Sequence, residues 1–300
     1  MLSELILSGL SDVPVIQLLL FLFLFCIYSL TLTANLSILL LISLDSHLHS
    51  PMYFFLGNLA CLDIFSSSIT TPRMLFDLST KHRMISVIAC RTQLYFFIFI
   101  LSTEILLLAV MSYDRYIAIC HPLRYMQIMH WQSCAQLAMG VWAAGSIYSL
   151  IHTLCTLRLA FCRSNIVNSF FCDLPKLFEI SCTDTFINIL SVFILGAFLG
   201  IISLTITFFP YIYILLTVLK IPSKNKGLKT FSTCSSHLTV VFIFYGALFF
   251  NYFRPITSFY YTADKIVSVF YTIITPLLNP MIYSLRNQEL KAALKRIYKI

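Results

Sequence analysis

Seven runs of apolar residues, each long enough to cross a lipid bilayer, constrain this chain more than any other feature. They lie at about residues 17–43, 52–76, 92–120, 134–157, 187–219, 229–253 and 264–284, and a helix rising 1.5 Å per residue needs ~20 residues to span the hydrocarbon. Lipid offers a peptide group no hydrogen-bond partner, so only helices and closed barrels cross it. These runs have helical length and lack the alternation of barrel strands of ~10 residues. The fold class that follows is an all-α membrane protein, a seven-transmembrane helix bundle. With 59% hydrophobic and 11% charged residues and 27 Phe, the chain has too little polar surface to coat a water-soluble globule. The breaks between runs carry loop chemistry: SHLHSP at Ser46 to Pro51, KHR at Lys81 to Arg83, RSN at Arg163 to Asn165 and PSKNKGLK at Pro222 to Lys229. The stretch from Thr185 to Lys220 is apolar almost throughout and reads as one long, tilted helix. No repeat or composition shift divides residues 1–300, which therefore read as a single domain. The first run follows neither a basic segment nor a small-residue cleavage site and reads as a retained anchor.

Charge sets the expected orientation. Of the 20 Lys and Arg residues, eleven fall on the side that holds Arg115: Arg115, Arg124, Lys220, Lys224, Lys226, Lys229, Arg286, Lys291, Lys295, Arg296 and Lys299. By the positive-inside rule that side is cytoplasmic and the N-terminus is extracellular, in a multi-pass protein of the plasma membrane. The net charge of +8 is thus a membrane signal and not a nucleic-acid one. Its densest cluster, over residues 285–298, predicts a short amphipathic C-terminal helix lying on anionic membrane lipids. Of the ten cysteines, Cys90, Cys162, Cys172 and Cys182 fall on the outer side, where the compartment permits disulfides. Four cysteines allow three pairings, and their spacing does not choose among them. Spacings of about ten residues without a close His do not match a zinc site.

The string MSYDRYIAIC at Met111 to Cys120 closes the third run. An ionised group at the centre of a membrane helix costs about 2.5–3.5 kcal/mol on insertion scales, so an Asp114-Arg115 pair at a helix end is either a snorkelling interfacial pair or a functional one. Further blocks accompany it: PMYFFLGNLACLD at Pro51 to Asp63, the extension of the Asp-Arg-Tyr string to MSYDRYIAICHPLRY at Tyr125, KTFSTCSSHLTVV at Lys229 to Val241, FYG at Phe244 to Gly246, and PLLNPMIYSLRN at Pro276 to Asn287. In this order, each at its own helix end, the blocks resemble those of vertebrate odorant receptors, a branch of the rhodopsin-like G-protein-coupled receptors. The resemblance covers nearly the whole chain.

That resemblance implies a function and a set of residues. It implies a receptor that binds a small odorant within the bundle and activates a heterotrimeric G protein of the stimulatory, olfactory type to raise cyclic AMP. Asp114 would hold Arg115 at rest and release it on activation, with Tyr116 completing the motif. Tyr211, Asn279 and Tyr283 match polar positions that repack when the sixth helix moves, Pro280 belongs to the same switch, and His237 stands where the family has the same His, whose protonation would tune the switch. The family pattern also implies the disulfides Cys90–Cys172 and Cys162–Cys182. Asp63 and Glu104 are two further acids inside apolar runs. The position of Asp63 belongs to a sodium site in related receptors, so a bound sodium ion or a shared proton would satisfy the two. Two positions depart from the pattern. Ala34 stands where Gly is usual, and Pro210 replaces the usual Ser before Tyr211, removing a backbone hydrogen bond and bending the helix near the switch. The only Asn-x-Ser/Thr sequence, Asn35-Leu36-Ser37, lies inside the first run, where it cannot be glycosylated.

Helical spacing places Tyr245, Leu248, Phe249 and Tyr252 on one face of the sixth run, and Phe97, Ile98, Leu101 and Ser102 on one face of the third. If both faces look inward they outline a mostly apolar ligand cavity whose polar handles are Ser102, Tyr252 and Thr272, which suits a small, volatile, weakly polar ligand. Phe97 stands where aminergic relatives carry an acid, which argues against an amine anchored by a salt bridge. His47, His49, His121 and His130 read as solvated inner-loop residues, and His152 as a hydrogen-bonding group between helices. No catalytic nucleophile–base pair or metal-ligand cluster points to an enzyme. The rival functions are a non-olfactory receptor of the same fold for a lipid or metabolite, and a transporter, for which no inverted repeat is found.

Overall fold

The computed structural model describes residues 3–80, 82–219, 237–250, 261–286 and 288–298. Tyr252, the lysines at 220, 224, 226, 229 and 299, and the first residues of the KTFSTCSSHLTVV block lie outside the described residues.

Helix α1 runs over Pro14–Leu44, α2 over Pro51–Thr80, α3 over Val87–Cys120 and the single turn α4 over Tyr125–Ile128. Next come α5 at Trp131–Leu157, the short α6 at Leu174–Glu179, α7 at Phe186–Leu219 and α8 at His237–Phe250. Helix α9 at Tyr261–Val269 passes through a π-helical turn, Phe270–Ile274, into α10 at Thr275–Arg286, and α11 covers Gln288–Tyr298. Six of these helical stretches are long and apolar enough to cross a membrane, and the shorter apolar α8 occupies the sixth run. The chain is a multi-pass helical membrane protein.

Local chemistry sets the helix ends. Pro14 and Pro51 open α1 and α2, where a missing N–H costs nothing. The Ser86 hydroxyl accepts from the Ala89 amide at 3.1 Å and caps α3. Asp173 caps α6 by accepting from the Leu174 amide at 2.8 Å. Pro210 sits inside α7, which remains helical through it although Pro210 cannot donate to the Ile206 carbonyl.

The end of the bundle that carries the N-terminus, called the outer end for the orientation expected from charge, holds the one departure from a purely helical fold among the described residues. Strands β1 (Glu4–Leu7), β2 (Met84–Ser86) and β3 (Ile166–Val167) form a sheet in the order β2-β1-β3. Leu5 faces Ile85 across the antiparallel pair, and Leu7 faces Val167 across the parallel one. Beside the sheet, Cys90 is bonded to Cys172 and Cys162 to Cys182. The other described cysteines, Cys26, Cys61, Cys120, Cys134 and Cys155, are free.

Apolar side chains gain little by leaving lipid for protein, so close packing and polar contacts must hold the helices together. Helix α3 is central, with buried side chains from Cys90 to Ile117 along its whole length, whereas most of α1 is exposed. Small residues on α5 let α3 approach. A Cβ on Gly145 would collide with Thr103 Oγ1 and stand 3.2 Å from the Phe99 carbonyl oxygen. Alongside, the Ser149 hydroxyl donates to the Tyr95 carbonyl at 2.5 Å, and the Tyr95 and Ser146 hydroxyls are 2.9 Å apart. Trp142 Nε1 donates to Asn58 Oδ1 at 3.0 Å and ties α5 to α2. Gly145→Leu is expected to cost at least ~3 kcal/mol, the upper end for overpacking, because backbone blocks relaxation. Thermal unfolding of purified protein measures it, with Gly140→Leu as the control, since a Cβ at Gly140 meets nothing within 4 Å.

Candidate functional site

The residues singled out in the sequence fall in three layers along the bundle. At the inner end, Arg115 Nε donates to Asp114 Oδ2 at 3.0 Å and its terminal NH2 group donates to the same oxygen. The other carboxylate oxygen accepts from the Tyr125 hydroxyl at 2.9 Å. Asp114 is buried and the Arg115 side chain is 16% exposed, so the pair lies in a poorly hydrated place where charge-assisted hydrogen bonds are strong. Tyr125, outside the spans, has its phenol pushed well above the usual range by burial and by the neighbouring Asp114 charge, so it stays a donor. The Tyr116 hydroxyl and His121 Nε2 are 3.1 Å apart. One turn deeper, the Tyr211 hydroxyl of α7 and His237 Nδ1 of α8 are 2.5 Å apart, and the buried Tyr283 ring lies 6.5 Å from the His237 ring.

The middle layer joins three helices. Asn279 Nδ2 on α10 donates to Asp63 Oδ1 on α2 at 2.8 Å and to Glu104 Oε1 on α3 at 3.3 Å. All three side chains are buried, and Asp63 Oδ2 has no hydrogen-bond partner among the described residues. One residue on is Pro280, inside α10, and Asn35 on α1 reaches the Pro276 carbonyl at 3.1 Å. Among the described residues no group of three or more His, Cys, Asp or Glu is placed to hold a metal ion.

The outer layer is apolar. The Phe97 ring packs 4.9 Å from Phe171 of the outer loop and 5.8 Å from Tyr271 of the π-helical turn, and Ile98 is buried in the same cluster. Leu101 packs against both this outer cluster and the inner one that contains Leu248. Two expected handles are already engaged. The Ser102 hydroxyl donates to the Ile98 carbonyl at 2.7 Å and faces the Gly145 carbonyl of α5 at 3.3 Å, and Thr272 donates to the Ser268 carbonyl at 2.6 Å. Tyr245 is half-buried, its ring 6.5 Å from that of Phe208 on α7 and 6.1 Å from that of Phe244. Phe249, expected on the inward face, is 69% exposed instead. The buried residues of α8 are His237, Val240, Val241, Phe244 and Leu248, and Phe249 lies one residue, about 100°, round the helix from Leu248.

The olfactory receptor family model matches residues 24–299. The chain belongs to the olfactory receptor family. It is 43% identical to olfactory receptor 5AR1 of Mus musculus, over 98% of this chain and 95% of that one. Olfactory receptor-like protein COR5 of Gallus gallus is 48% identical over 97% of this chain and 94% of its own. Olfactory receptor 5B12 of Homo sapiens is 45% identical over 98% and 94%.

Three features of this receptor were not legible in its sequence. Tyr125 stands inside the Asp-Arg-Tyr block, but nothing in the string says that its hydroxyl returns to Asp114. Asp45, in the loop after α1, accepts from Arg296 of α11 at 2.9 and 2.6 Å, a contact across 251 residues that holds its carboxyl down at about 2. That pair seats α11 beside the first inner loop, with Leu290 and Ala293 buried in the inner core. Burial alternates along the Glu4–Leu7 strand, but its sequence, Glu-Leu-Ile-Leu, does not alternate in polarity, and four residues are too short to announce a sheet.

Proposed function

We propose that this odorant receptor takes a small, weakly polar, volatile molecule into the outer apolar layer and signals through a stimulatory, olfactory-type G protein at the inner end, raising cyclic AMP. Family membership makes it a receptor and not an enzyme. The observation that carries the reading is the buried Asp114–Arg115–Tyr125 cluster at the opposite end of α3 from Phe97 and Ile98. One rigid helix thus joins a ligand layer to a partner surface, and a ligand acts by its differential affinity for two arrangements of the bundle. The N-terminus faces outward at the plasma membrane in this reading, which the small excess of Lys and Arg on the Arg115 side, eleven of the 20, supports. The test is cyclic-AMP output in cells expressing a surface-tagged receptor, screened against an odorant panel. A dose-dependent rise is expected, and silence with proven surface receptor would count against a volatile ligand.

Asp63 and Glu104 share one amide donor and leave Asp63 Oδ2 unpaired among the described residues, so a sodium ion or a shared proton between the two acids belongs to the same proposal. A sodium ion there would neutralise the two carboxyls. Thermal unfolding of purified receptor should then shift upward in sodium chloride relative to choline chloride, and coincident curves would assign the shared proton.

A further inference from the structure

The chain's own N-terminal segment packs onto the outer layer. Leu5 and Leu7 of β1 are fully buried in the cluster that contains Phe97, Ile98, Phe171 and Tyr271. Past the strand the backbone turns at Gly9, whose φ of 64° suits glycine. The Arg83 guanidinium lies over that turn, 3.2 Å from where a Cβ would stand. Arg83 donates to the Ser8 carbonyl at 2.9 Å, the Ser11 carbonyl at 2.9 Å and the Asp12 carboxylate at 2.6 Å. From the head of the seventh span, Lys265 Nζ donates to Ser8 Oγ at 2.9 Å and the Gly9 carbonyl at 2.7 Å.

Among the described residues two segments cover this layer, and they are held differently. The loop that carries Phe171 is fixed to α3 by the Cys90–Cys172 bond. The N-terminal segment is held by strand pairing, two apolar side chains and two cationic catches. The Arg83 side chain is mostly covered, at 16% exposure, but its Asp12 partner is 87% exposed, so salt reaches and weakens that one bond of the catch. Lys265 stands on the same helical run as Tyr271 and Thr272, so release of the hook frees the top of the segment that lines the outer layer.

We propose that residues 3–12 form a releasable strap that gates access from water to the outer layer of the bundle, with Arg83 and Lys265 as its catches. The idea rests on reading that layer as the ligand chamber, but its test reads access alone and needs no odorant. A Phe97→Cys receptor is exposed on intact cells to 2-sulfonatoethyl methanethiosulfonate, a small, charged, membrane-impermeant thiol reagent. The parent chain, which keeps Phe97, supplies the background from its own thiols.

Slow labelling of the introduced thiol is expected with the strap intact. Adding Arg83→Ala or Lys265→Met should speed it about tenfold or more, since each charge-assisted hydrogen bond lost is a tenfold factor or greater. Arg83→Lys should give a smaller rise. A salt series on the strap-intact Phe97→Cys receptor needs no further substitution, and labelling should accelerate with salt relative to a cysteine on an exposed loop. Labelling that is equally fast in all variants would show that the strap is no barrier. Labelling that stays slow in the released variants and at high salt would show that the disulfide-anchored loop seals the layer alone. Either result overturns the proposal, while failure of the odorant screen would leave it standing.

Discussion

Tyr125→Phe is expected to raise ligand-free cyclic-AMP output about tenfold at equal surface receptor, whereas Arg115→Ala abolishes output with or without ligand. The two changes touch one cluster and act in opposite directions. Asp114 divides its carboxylate between Arg115 and the Tyr125 hydroxyl, which donates at 2.9 Å. A hydrogen bond to a charged group contributes ~1.5–3 kcal/mol, and the lower end applies because Tyr125 is only half-buried. About 1.4 kcal/mol is a tenfold change in the balance of two states. Losing the Tyr125 bond leaves Asp114 less firmly placed and Arg115 less restrained, so the active arrangement gains population. Losing Arg115 removes the group that would be released toward the G protein. Asp114→Asn should exceed Tyr125→Phe, because it weakens every bond in the cluster. Unchanged basal output in both Tyr125→Phe and Asp114→Asn would show that the cluster is a structural anchor and not a restraint on signalling.

The second large effect is on stability. Asn279→Leu takes away the one donor that bridges Asp63 and Glu104 among the described residues. Two buried carboxyls then face each other without it, at ~1–3 kcal/mol for each group left unsatisfied. Thermal unfolding of the purified receptor should show a loss of ~2–6 kcal/mol. Neutralising both acids, Asp63→Asn with Glu104→Gln, should recover most of that loss in the Asn279→Leu background, because the amides are uncharged and add donors. A loss that the double change does not recover would assign the damage to leucine crowding in α10.

The membrane class of this receptor was legible because it is a local property. A span in lipid must satisfy its own backbone hydrogen bonds, so length and apolar composition declare it one segment at a time. The Asp114-Arg115 pair was legible for the same reason, being adjacent in the chain. Rotation of a helix about its axis was not. Spacing placed Phe249 with Tyr245 and Leu248, yet the packing of α8 turns Phe249 outward and α5 engages the Ser102 hydroxyl. Which residues face a cavity depends on which neighbour approaches, and here Gly145 sets that approach.

By itself, then, the sequence determined the lipid environment, the helical spans, the short amphipathic tail and the family, since each is written in contiguous residues. The tertiary structure alone decided which distant groups meet. Asn279 reaches acids 216 and 175 residues away, Arg296 reaches Asp45 across 251, and Lys265 reaches Ser8 across 257. Such contacts draw on side-chain geometry between separately placed helices, and a one-dimensional pattern carries no measure of the distance between two of its own segments.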